Sequence, residues 1–171
     1  MKQQDMEQQF LTLIENNKKT IYKVSLMYAD DNEHQQDIYQ DIVLNLWTAF
    51  PSFRGDSKDS TWVYRIALNT CVSELRRKKS KPLTTPLTYD LEQLMDDGGA
   101  YREKVRELYR LINRLSQLER AIILLWLEEK SYDEIGSILG ITSSNVGVKI
   151  SRIKEKLKRM TSPAPPKEGR N

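Results

Sequence analysis

The chain is expected to be all-α: two small helical domains joined by a flexible linker, the second carrying a helix-turn-helix. Three observations lead there. Apolar residues recur at helical spacing along nearly the whole length, and no convincing hairpin signal interrupts them. The stretch 80–100 breaks that period with Pro82, Pro86 and Gly98-Gly99, as a domain boundary would. Residues 131–157, SYDEIGSILGITSSNVGVKISRIKEKL, read as two helices joined by a four-residue turn.

In the first half, residues 5–15 and 20–28 form two short amphipathic stretches, and Asn16-Asn17 is expected to separate them. The cluster Asp30-Asp31-Asn32 offers N-caps for a helix over 33–50, where Ile38, Ile42 and Leu46 make one buried stripe. Pro51 stops it, because proline lacks the amide hydrogen and clashes with the preceding turn. A polar loop over 52–59 follows, and Ser60 is placed to cap a helix reaching about residue 79. That helix ends in Arg76-Arg77-Lys78-Lys79, favourable at the negative end of the helix dipole.

In the second half, Val105, Leu108, Leu111, Ile112 and Leu115 mark one buried face. Ser116 with Glu119 has capping-box spacing and opens the apolar helix that contains Ala121 to Leu127. Ser131 with Glu134 repeats the device, and Gly140 ends the following helix because glycine enters the left-handed region without a Cβ clash. Thr142 or Ser143 caps the last helix, whose Val146, Ile150, Ile153 and Leu157 face inward. Its other side presents Ser144, Val148, Ser151, Arg152 and Glu155, flanked by Asn145, Lys149 and Lys154, a polarity that fits the DNA major groove.

Charge supports a nucleic-acid role. The net charge of +3 conceals a gradient. Lys149, Arg152, Lys154, Lys156, Lys158 and Arg159 crowd one helix, whereas Asp90, Glu92, Asp96 and Asp97 sit together in the linker. Cys71 is the only cysteine, which rules out an intrachain disulfide and a cysteine-rich metal site. The only histidine, His34, lies in a polar helix start and is expected at the surface. With no nucleotide loop and no metal-ligand cluster in the sequence, no enzyme activity, cofactor or metal is expected. The start, MKQQDMEQQF, is too polar for a signal peptide and no apolar run spans a membrane, so a reduced, soluble, cytoplasmic protein is expected.

Three segments, in order, resemble the small bacterial sigma factors of the extracytoplasmic-function (ECF) group. HQQDIYQDIVLNLWTAF resembles the family helix that docks on the β′ coiled coil of RNA polymerase. FRGDSKDSTWVYRIALNTCVSELRRKK resembles the promoter-melting loop and the helix after it. RLSQLERAIILLWLEEKSYDEIGSILGITSSNVGVKISRIKEKLK resembles the domain that reads the upstream promoter element. The resemblance implies a dissociable initiation subunit with sigma domain 2 at 1–80, a linker at 81–100, sigma domain 4 at 101–160 and a disordered tail at 161–171. It implies partners too: core polymerase through the β′ coiled coil and β flap, promoter DNA, and an anti-sigma factor.

On that basis the upstream element falls to Ser144, Asn145, Val148, Lys149, Ser151, Arg152 and Lys154. The downstream element and melting fall to Arg54, Asp56, Ser57, Lys58, Trp62, Arg65, Asn69, Arg76 and Arg77. Trp62, Arg65 and Asn69 share a helical face, and an amide such as Asn69 suits adenine edges. Polymerase docking falls to Asp37, Gln40, Asp41, Leu44 and Trp47, a polar face with apolar anchors. Gly147 and Val148 depart from the family pattern, since neither side chain bonds a base edge. The competing expectation is a stand-alone helix-turn-helix regulator. A helical interaction protein such as an anti-sigma factor would lack the cationic helix.

Overall fold

The computed structural model describes residues 2–77 and 100–161, and all its regular elements are helical. The order is α1 (Lys2–Tyr28), α2 (Asn32–Ala49), a short 3-10 turn (Phe50–Ser52), α3 (Asp59–Arg77), α4 (Ala100–Ile112), α5 (Gln117–Leu127), α6 (Tyr132–Leu139) and α7 (Ser143–Thr161). Except for Ala100 and Thr161, the expected linker and tail lie outside the described residues. So do Lys78, Lys79 and the side chains of Arg76 and Arg77. No described helix is long and apolar enough to cross a membrane.

Helices α1, α2 and α3 pack on one another around Ile21, Val24, Met27, Ile38, Ile42, Leu46, Val63, Ala67 and Cys71, all buried. Asp31 caps α2 by accepting the His34 amide at 2.7 Å. The buried Gln35 is satisfied by donating to Ser25 Oγ at 2.9 Å, while Ser25 Oγ donates to the Tyr22 carbonyl. Such a closed polar chain fixes how α2 sits on α1 without stranding a buried donor.

Three expectations change here. The break at Asn16-Asn17 does not exist, and α1 is one helix through it. Asn17 is buried and donates to the Leu13 carbonyl at 2.8 Å, so the amide that would compete with a helix bonds back onto it. Ser60 is not the cap of α3. The helix begins two residues earlier than such a cap would place it, at Asp59, with the Trp62 amide on the Lys58 carbonyl, and Ser60 Oγ accepts from Lys130. His34 is largely buried: its side chain is 10% exposed, and Nδ1 accepts the Asp30 amide at 3.1 Å.

The second unit, α4 to α7, closes around Ile112, Leu115, Ala121–Leu125 of α5, Ile135, Val146, Ile150 and Ile153. Both expected capping boxes are formed, Ser116 with Glu119 and Ser131 with Glu134. Gly140 stands at φ +72° and the Ile141 amide returns to the Gly136 carbonyl, so glycine closes α6 as expected. The α5 terminus uses the same return: Lys130 N–H reaches the Leu125 carbonyl and Glu129 N–H the Trp126 carbonyl. There Glu129 holds φ +58°, which costs a non-glycine residue about 1 kcal/mol. Thr142 caps α7 through the Asn145 amide.

Gly136 sets the angle between α6 and α7. A Cβ there would lie 2.5 Å from the Ile141 carbonyl oxygen, so only glycine allows the turn to fold onto the helix. Gly136→Ala gains helix propensity of up to about 1 kcal/mol but must displace backbone, which costs more. A net loss of about 1–3 kcal/mol is expected, measured as a lowered urea midpoint with unchanged slope.

Glu119 gives the second unit a pH dependence. Partial burial pushes its carboxyl up, but the Ser116 amide and the Lys156 ammonium outweigh this and hold it below its ordinary value of 4.5. Its folded-state value is therefore the lower one, so its contribution is complete above about pH 5 and is lost as pH falls through that value. Glu119→Gln should flatten the acid limb of the stability curve between about pH 5 and 3. Denaturant titrations at stepped pH check this, and an unchanged limb would remove Glu119 from the account.

Candidate nucleic-acid interface

On α7 the expected DNA face points outward. Ser144, Asn145, Ser151 and Arg152 are exposed, Val148 is 48% exposed, and Lys149 is half-buried. The face is narrower than its cations suggest. Lys154 lies over the Trp126 ring, 4.1 Å from its centroid. Lys156 pairs with Glu119 at 3.0 Å, tying α7 to α5. Arg159 pairs with Glu155 at 3.5 Å. Arg152 and Lys149 make no ion pair among the described residues. Gly147, which departs from the family pattern, has a structural reason. A Cβ there would meet the Tyr132 ring at 3.3 Å, so the missing side chain seats α6 on α7.

The loop before α3 is anchored by Phe53, which lies 4.5 Å from Trp62 between ring centroids. Phe50, Phe10 and Trp47 extend this contact into an aromatic chain. Trp47 meets Phe10 edge to face at 4.9 Å. Both tryptophans are thus half-buried, packing one side while keeping some surface exposed. Between the aromatics and α3 the loop turns through Gly55 at φ +74° and leaves Arg54, Asp56 and Lys58 exposed, with Ser57 half-buried.

Beyond the loop, Arg65 is half-buried and Asn69 exposed. Asn69 opens into a groove between α2 and α3 that Asp41, Asn45, Ala49, Ile66, Thr70 and Ser73 also line. The groove has a fixed polar wall, since Asn45 donates to Thr70 Oγ1 at 2.9 Å and Thr70 to the Ile66 carbonyl at 2.8 Å. Sequence reading missed Asn45, Thr70 and Ser73. Their signal was polar residues on the facing sides of α2 (Asn45) and α3 (Thr70, Ser73), visible only once the two helices are paired. Asp41, assigned to docking, therefore borders the same groove as Asn69, assigned to DNA.

The remaining docking residues stay on one exposed strip of α2. Asp37, Gln40 and Leu44 all face solvent, and Leu44 is 60% exposed. An aliphatic side chain that exposed, ringed by polar groups, is the usual look of an interface anchor. No group of three or more His, Cys, Asp or Glu able to hold a metal ion occurs among the described residues.

Comparison with known proteins agrees with this layout. The Sigma-70 region 2 family matches residues 13–81 and the Sigma-70, region 4 family matches residues 105–157. The ECF RNA polymerase sigma-E factor of Escherichia coli (strain K12) is 30% identical over 140 residues, covering 74% of this chain and 73% of its own length. The ECF RNA polymerase sigma factor SigM of Mycobacterium tuberculosis is 27% identical over 152 residues, covering 88% and 76%. Two solved structures share the fold. CnrH in complex with the cytosolic domain of CnrY has a TM-score of 0.65 at 19% identity, covering 90% of this chain and 88% of that one. RpoE in complex with the anti-sigma factor NepR from Bartonella quintana has a TM-score of 0.65 at 18% identity, covering 94% and 99%. With the region 2 and region 4 matches in register and a sigma-E relative aligned across both, the chain belongs to the ECF RNA polymerase sigma factors, which direct transcription initiation.

Proposed function

We propose that the two units divide a promoter between them, α7 holding the upstream element and the loop and α3 holding the melted downstream strand. The observation that carries this is the outward face of α7. Lys154 and Lys156 are drawn onto α5 and Arg159 pairs with Glu155, while Arg152 and Lys149 stand beside exposed Ser144, Asn145, Val148 and Ser151. Arg152 reads a base edge, Lys149 a phosphate, and Val148 offers apolar contact to a thymine methyl group. Downstream, Arg54, Asp56, Ser57 and Lys58 surround an extruded base or its phosphates, with Asn69 at the groove. The exposed face of Trp62 offers a stacking surface, and Arg76 and Arg77 meet the backbone beyond.

Core polymerase engages α2 through Asp37, Gln40, Asp41 and Leu44, with Trp47 supporting them from the aromatic chain. The β′ coiled coil is the partner there and the β flap the partner of the second unit. Residues 81–100 pass between these contacts, their carboxylates taking a nucleic-acid path through the enzyme. An anti-sigma factor is a further partner, supported by the solved structures of similar fold, which are sigma factors bound to such proteins. The site of action is the cytoplasm.

Two variants test the division. Arg152→Ala in reconstituted holoenzyme should lose about 1–3 kcal/mol of affinity on promoters mapped by in vitro transcription, and lose much less on unrelated duplexes. Equal losses on both would make Arg152 a phosphate contact. Leu44→Asp places a charge where an apolar anchor stood. It should keep the parent's circular dichroism while core polymerase affinity falls by about 2 kcal/mol or more. Normal holoenzyme assembly by Leu44→Asp would move the docking surface off α2.

A further inference from the structure

Helix α4 meets the end of α7 along a shallow open trough, lined mostly by apolar surface. Leu111, buried, and Leu108, half-buried, form its floor, and the exposed Glu103, Lys104 and Glu107 form its rim. Thr161, the last described residue, lines it as well. The rim carboxylates are loosely engaged. Glu103 pairs with Arg106 at 2.8 Å and with Arg110 at 3.8 Å, and Glu107 pairs with Arg110 at 3.5 Å. All these partners lie on α4 itself and are open to water, so the pairs contribute little and exchange readily.

The chain beyond Thr161 reads SPAPPKEGRN, and it departs from the trough itself. Its order suits that surface. Pro163, Ala164, Pro165 and Pro166 are apolar, and proline pre-sets an extended backbone, so docking costs little further entropy. Lys167 and Arg170 follow, opposite in sign to Glu103 and Glu107, and Glu168 between them is opposite in sign to Lys104. The reach is sufficient too. Helix α4 rises about 12 Å from Glu103 to Leu111, and the chain from Thr161 to Lys167 covers about 19 Å when extended.

We infer that residues 162–171 dock back on this trough, with the Pro-Ala-Pro-Pro run over Leu108 and Leu111 and the two cations on Glu103 and Glu107. A contact this small would fail between separate molecules. Tethering raises the segment to a local concentration in about the millimolar range, so a dissociation constant of about 1 mM fills the trough roughly half the time. The docked segment covers the apolar strip of α4, and any partner that approaches this face must displace it. The inference stands apart from the promoter reading, since α4, Thr161 and the sequence after it carry it alone.

Methyl resonances of Leu108 and Leu111 in the full chain provide the test. Lys167→Glu with Arg170→Glu lies beyond α7 and leaves its core intact. In that variant docking should weaken about 2- to 10-fold, moving both resonances toward those of a chain ended at Thr161. Adding Glu103→Lys and Glu107→Lys restores opposite charges and should return the parent positions. A synthetic peptide of residues 162–171, titrated into the shortened chain, should reproduce them with half-saturation at about 1 mM. Should the lysine pair unfold α4 by circular dichroism, Glu103→Gln with Glu107→Gln in the parent replaces it and should weaken docking as the tail variant does. Resonances unmoved by charge reversal overturn the inference. Resonances that move with protein concentration assign the trough to a second copy of the chain and overturn it as well.

Discussion

Burial of short helices against one another is the constraint on which this structure rests. Helices α4, α5 and α6 have 13, 11 and 8 residues, lengths at which an isolated helix is marginal in water. They persist because each gives up one apolar face to a shared cluster, in which α5 contributes five consecutive buried residues. Short helices also gain from having their ends satisfied locally, since the first amides and last carbonyls have no partner inside the helix. The capping boxes at Ser116 and Ser131 and the returning amides at Gly140 and Glu129 do this. The outward face of α7 is a consequence. Once Val146, Ile150 and Ile153 enter the cluster, Arg152 and Ser151 have nowhere to go but solvent.

Most of this was legible in the sequence because it is local. Helical period, capping spacing and a glycine after a helix are properties of a few neighbouring residues, and each appears where it was expected. The misreadings have one cause: a local rule was overridden by a partner distant in sequence or by the helix itself. Asn17 reads as a breaker until its amide is seen on the Leu13 carbonyl. Ser60 reads as a cap until Lys130 claims its hydroxyl from the other unit. His34 reads as a surface residue because only polar neighbours adjoin it in sequence, yet the fold covers it.

The candidate site was partly legible for the same reason. A helix wheel locates the outward face of α7, but it cannot tell which lysines remain for DNA. Trp126 and Glu119 come from α5, and they draw Lys154 and Lys156 toward the fold. Neither contact is worth more than about 1 kcal/mol at such exposure. Their effect on function is therefore steric more than energetic. They set where two cations point when DNA is absent, and DNA phosphates can still compete for them.

Where the two units meet, polar contacts add to one apolar cluster that runs through both. At the seam, Lys23 and Glu128 keep 18% and 29% of their side-chain surface exposed, so water and salt moderate their attraction. Arg120 binds more firmly, but two of its bonds are internal to the second unit, to the Leu115 carbonyl and Asn113 Oδ1. The guanidinium also donates to the Met27 carbonyl at 2.7 Å and lies over the Tyr28 ring, so one side chain fixes the end of α1 against the start of α5.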